Sequence, residues 1–80
     1  MTETYKDDRP TEIRSVGIGS TTQTIAFRED TDGVWTAYLL KTNIVTHDMT
    51  FLAWDVTSGM TWASFEAALN YLKGIGYKIP

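Results

Sequence analysis

Three stretches of this 80-residue chain, and its aromatic residues, have types and spacings that chemistry could use. Gly17-Ile18-Gly19-Ser20-Thr21-Thr22 carries two of the glycines a phosphate-binding loop employs. A dinucleotide loop needs a third glycine and a helix directly after it, and a Walker loop needs Gly-Lys-Ser/Thr. Here no lysine is present and strand-like alternation follows, so turn or bulge glycines are the better reading. His47 is the sole histidine, with Asp48 as its chain neighbour. Adjacent side chains of a strand point to opposite faces, so this pair is no ready-made dyad, and a solvated loop histidine is favoured. Zinc sites want three or four His or Cys ligands, so no metal site is expected from one histidine and no cysteine.

The third stretch is Glu29-Asp30-Thr31-Asp32-Gly33. With Asp30 in the first position of a calcium loop, Lys41 falls where a bidentate glutamate belongs, which excludes the EF-hand version. A solvated hairpin tip and an acidic contact surface remain. Glu29, Asp30 and Asp32 lie within four positions and Trp35 follows closely. Like charges held together oppose folding, and a basic partner surface would offset that repulsion and speed encounter. Trp35 would then supply an apolar anchor beside the charged rim. These four residues are the expected partner-binding site.

Trp35, Trp54 and Trp62, with Tyr38, Phe51 and Phe65, could stack single-stranded bases if a basic groove ran beside them. From Arg28 to Glu66, however, two basic residues (Arg28, Lys41) face six acidic ones (Glu29, Asp30, Asp32, Asp48, Asp55, Glu66). That balance repels phosphate, so core packing is the better reading for most of the aromatics and no direct nucleic-acid binding is expected. The whole chain has a net charge of −3. Apolar residues make up 42%, which suits a folded core and is too many for a disordered chain. With no cysteine there is no disulfide and no thiol nucleophile. No apolar run approaches the length of a membrane span and the first ten residues are polar, so a cytoplasmic protein with no membrane partner is expected.

The elements that position these residues follow from periodicity. Residues 1–12 are charged, contain Pro10 and offer little to a core, which predicts a flexible arm ahead of one domain over 13–80. Val16 and Ile18 share a face of a short strand. Thr22 to Arg28 alternates, with Gln23, Ile25 and Phe27 on one side and Thr24, Ala26 and Arg28 on the other. Asp32-Gly33 joins it to Val34–Thr42 as a β-hairpin. A second turn is expected within 43–48, with Ile44 and Val45 extending the pairing, and the next strand runs Met49–Val56. Thr61 is the expected N-cap of a helix Trp62–Lys73, with Met60 and Phe65 as a hydrophobic staple and Gly74 as a left-handed C-cap. Gly76 to Pro80 would add a short final strand. The class is α+β: an antiparallel sheet of three to five strands with one helix, from the C-terminal half, packed on one face. Both faces of the central strands are apolar and one helix covers only one, so the second face is expected to meet a partner or a second copy of the chain.

The hairpin around Glu29–Gly33, the strand Met49–Val56 and the helix Trp62–Lys73 cover about half of the chain. In size, acidity and element order they resemble the small α+β accessory proteins of phages and other mobile elements, including anti-CRISPR proteins. The resemblance implies a stoichiometric, non-enzymatic inhibitor or regulator without cofactors. It also implies an acidic surface occupying a basic site on a host nucleic-acid-binding protein, in the host cytoplasm. A small nucleic-acid-binding transcriptional regulator is the alternative, for which Arg9, Arg14, Arg28, Lys41, Lys73 and Lys78 would have to gather on one face.

Overall fold

The computed structural model describes residues 9–80, so the expected arm lies outside the described residues up to Asp8. Four strands, β1 (Thr11–Ile18), β2 (Thr21–Thr31), β3 (Val34–Thr42) and β4 (Met49–Ala53), form an antiparallel sheet in the order β1-β2-β3-β4. A 3-10 turn (Asp55–Thr57) and a helix, α1 (Phe65–Gly74), follow. The architecture is the expected α+β arrangement of an antiparallel sheet with one C-terminal helix. Thr11 and Glu12 already pair with Arg28 and Phe27, so the sheet starts two residues inside the segment assigned to the arm.

The turns explain the order. Gly19-Ser20 links β1 to β2, and Gly19 takes a φ of 59° that a side chain would strain. Asp32-Gly33 links β2 to β3, where Thr31 pairs with Val34 and Gly33 has a φ of 77°. The register of β2 on β3 shifts between Glu29 and Thr31, which marks a bulge beside this turn. With each strand joined to its neighbour by a short connection, the sheet is a plain meander.

Alternation then decides which residues enter the core. Arg14 and Val16 of β1, Ile25 and Phe27 of β2, Trp35, Ala37 and Leu39 of β3, and Leu52 of β4 lie on the helix side. Val16, Ile25, Phe27 and Ala37 are buried there with Trp54, Ala68 and Leu72. The Phe27 and Phe65 rings meet edge to face at 5.3 Å, and Trp54 meets Tyr77 likewise at 5.6 Å. The opposite side carries Ile13, Ala26, Arg28, Tyr38, Leu40, Phe51 and Ala53, of which Ala26, Arg28 and Leu40 are buried.

The helix begins three residues later than expected. Trp62 exchanges two backbone hydrogen bonds with Trp35, at 2.8 and 2.9 Å, which holds it extended along the end of β3 and out of any helix. Ser64, in an extended conformation, is the cap instead: its hydroxyl oxygen accepts the Ala67 N–H at 3.1 Å. Phe65 is consequently the first helical residue, where the staple with Met60 does not apply. At the other end Gly74 remains helical and Gly76 takes the positive φ, 112°. The Tyr77 N–H then returns to the Leu72 carbonyl at 3.0 Å. Strand β4 stops at Ala53 because Trp54 turns into the core ahead of the 3-10 turn. The expected final strand is a single bridge, Gly17 to Lys78, on the outer edge of β1.

Candidate functional site

The acidic hairpin end is built by its own carboxylates. Glu29 accepts the Gly33 N–H on Oε2 at 2.6 Å, which closes the turn. Asp30, on the other side of the strand, accepts the Tyr38 hydroxyl on Oδ2, and its Oδ1 lies 3.4 Å from the Arg28 Nε. Arg9 donates to the Asp30 carbonyl. Asp32 and Gly33 are exposed at the tip. The structure therefore does not present three equivalent carboxylates. Glu29 and Asp30 have local partners that offset much of their mutual repulsion, and Asp32 alone projects with no structural task among the described contacts.

Trp35 lies opposite Glu29, on the helix side. It is half-buried, its ring is 5.8 Å from Phe65, and its backbone is tied to Trp62. It packs against the rim of the core near the start of the strand that leaves the acidic turn.

Around Asp30 the second side of the sheet carries a compact polar and aromatic group. The Tyr38 ring stacks on Phe51 at 5.8 Å, and the Arg28 guanidinium sits 5.1 Å from the Phe51 centroid. Burial, with the Asp30 carboxylate beside it, pushes the Tyr38 hydroxyl up from 10.0 to about 12. A phenol held in that form is a hydrogen-bond donor to Asp30 and a poor nucleophile or base. The expected strand ended at Arg28 and put Asp30 in the turn, whereas β2 runs on to Thr31 and carries both residues; that Tyr38 completes the group depends on strand register.

The described basic residues are spread over the molecule. Arg14 is on the helix side, bridged to Glu12 at 3.1 Å and 5.1 Å from the Phe65 centroid, whereas Arg28 lies on the opposite side. Lys41, Lys73 and Lys78 are exposed on β3, on the helix end and on the C-terminal segment. His47 is exposed in the β3–β4 loop with a φ of 64°, and its N–H donates to the Asn43 carbonyl at 2.7 Å. Among the described residues no group of three His, Cys, Asp or Glu side chains could hold a metal ion, and no helix is long and apolar enough to cross a membrane.

One surface feature ran against expectation. Ile44 and Val45 do not extend strand pairing; they stand in the loop, 84% and 81% exposed. The Asn43 side chain causes this, since its Oδ1 accepts the N–H groups of Val45 at 2.8 Å and Thr46 at 3.0 Å and folds the chain into a turn. Asparagine just before the two aliphatics was the available signal.

Comparison with protein-family models, with curated proteins and with solved structures finds no match.

Proposed function

We propose that this chain is a non-enzymatic protein-binding regulator or inhibitor that presents its acidic hairpin end to a basic site on a nucleic-acid-binding protein. The observation that carries this reading is the turn at Asp32-Gly33: it is closed by a hydrogen bond to the Glu29 carboxylate and leaves Asp32 exposed at its tip. A charged tip on a closed turn loses little freedom on docking, and a net charge of −3 favours encounter with a positive surface. The scatter of the arginines over both sides of the sheet favours a protein partner over direct contact with phosphate. The reading accords with the resemblance to phage and mobile-element accessory proteins, whose inhibitors work in the host cytoplasm.

The test uses wild type and Asp32→Lys as paired baits, followed by surface plasmon resonance of the captured protein at two salt concentrations. Wild type is expected to retain a basic, nucleic-acid-binding protein. The variant should associate several-fold more slowly at low salt, with the difference shrinking as salt rises. Equal association rates for the two baits would remove the acidic tip from the interface. Micromolar binding of the purified protein to random DNA or RNA would replace the proposal with the nucleic-acid-binding alternative.

A further inference from the structure

The meander puts the β1–β2 turn and the β3–β4 loop at one end of the sheet, on opposite edges, and the acidic hairpin at the other end. The β3–β4 loop is a knob. Among the described residues, Ile44 and Val45 are almost twice as exposed as the next large apolar residue, Ile75 at 45%. They do not sit on a slack segment. Besides the two bonds to the Asn43 side chain, the Asn43 N–H donates to the Asp48 carbonyl at 2.9 Å and the His47 N–H to the Asn43 carbonyl at 2.7 Å. Two aliphatics held out on a rigid turn have already lost the freedom that docking would otherwise remove.

The β1 edge at the same end is concave. A shallow groove of about 380 Å³ runs along it, lined among others by Val16, Gly17, Thr22, Lys78, Ile79 and Pro80. Next along β1 comes Ile18, 42% exposed, whose Cδ1 would lie 4.0 Å from a Cβ placed on Gly76. The groove is mostly apolar and has an exposed lysine, Lys78, on its rim. The knob ends in an exposed carboxylate of opposite sign, Asp48.

We infer that two copies of this chain associate end to end, the Ile44–Val45 knob of each entering the β1-edge groove of the other. The placement of the two features makes this self-complementary. A two-fold axis normal to the sheet and just beyond this end reverses the strand direction and exchanges the two edges. It sets the β3–β4 loop of one copy over the β1 edge of the second, and the same operation makes the reciprocal contact. Asp48 of each copy then approaches Lys78 of the other, which selects a second copy over an unrelated apolar surface. The contact is small, so it belongs with weak, transient interfaces. It leaves both acidic hairpins free at the far ends of the pair, so it is independent of what those hairpins bind.

The experiment is sedimentation velocity on the purified chain over about 10 μM to about 1 mM, the range in which small interfaces associate. Wild type should move from the 9.0 kDa monomer toward twice that mass as concentration rises. The double substitution Ile44→Ser with Val45→Ser should weaken self-association at least about 30-fold. Its far-ultraviolet circular dichroism should be unchanged, because both side chains are solvent-exposed in the monomer. Asp48→Lys and Lys78→Asp should each weaken the pair, and the two together should restore it. A wild type that stays monomeric throughout would overturn the inference and leave the knob for a different protein. So would a folded loop variant that associates as tightly as wild type, or a charge swap no better than either single change.

Discussion

Replacing Phe65 with alanine tests both the packing of the helix on the sheet and the position of its first turn. The Phe65 ring meets Phe27 at 5.3 Å and Trp35 at 5.8 Å, and the Arg14 guanidinium lies 5.1 Å from its centroid. Alanine at the first helical position has better intrinsic helix propensity than phenylalanine, so any loss reports packing. Fully buried phenylalanines cost roughly 3–5 kcal/mol on truncation to alanine; Phe65 is only partly buried, which puts it near the lower end, at about 3 kcal/mol. A domain of this length has roughly 4–12 kcal/mol in total, at about 0.05–0.15 kcal/mol per residue. With a urea slope of about 1 kcal/mol/M for a small protein, the midpoint should fall by about 3 M. Tryptophan fluorescence reads the transition, since Trp35 is one of the ring's neighbours. Phe65→Leu, which keeps much of the volume, should recover more than half of the loss. A midpoint within about 0.5 M of wild type for Phe65→Ala would refute the placement of this ring between Phe27 and Trp35.

The remaining predictions concern the cap, the hairpin and the phenol. Ser64→Ala should cost about 1 kcal/mol by urea unfolding and Thr61→Ala under about 0.5 kcal/mol; the reverse order would return the helix start to Trp62. Asp30→Asn should lower stability by roughly 1–2 kcal/mol, because the partly buried Tyr38 and the buried Arg28 lose a charged partner, while Asp32→Asn should stay within about 0.5 kcal/mol. Equal effects of the two would show that the carboxylates are equivalent after all. Tyr38 keeps its proton in the fold at a pH where the unfolded chain has lost it. Its stabilisation is therefore complete below about pH 10 and is lost as pH rises through about 12. An ultraviolet titration of tyrosinate should show one late-ionising group in wild type that is missing from Tyr38→Phe.

Much of the fold was legible locally. The alternation of Gln23, Ile25 and Phe27 against Thr24, Ala26 and Arg28 is the observed alternation of β2, and Asp32-Gly33 is the observed turn. Phe65, Ala68, Leu69 and Leu72, three and four residues apart, lie in or against the core, and Trp62 packs there from the extended segment ahead of the helix. Helix boundaries were less legible, because Thr61 and Ser64 are comparable caps in isolation. The choice between them lies in the backbone pairing of Trp62 with Trp35, which are far apart in the chain. The site was legible in part: Glu29, Asp30 and Asp32 do sit at the best-defined hairpin, but their partners were not visible. Gly33 and Tyr38 reach them through turn closure and register, and Trp35 is drawn into the core rim by a helix that comes thirty residues later.

The sequence by itself determined the class, the hairpin at Asp32-Gly33 and the alternation of β2, since each follows from side-chain period and from a turn that glycine makes within a few residues. Tertiary structure decided the order of the strands, which cap starts the helix, how Trp35 packs, and that an apolar groove forms at the sheet end that carries the Ile44–Val45 turn. Those outcomes depend on contacts between segments far apart in the chain, where a hydrogen bond or a packed ring overrides local preference.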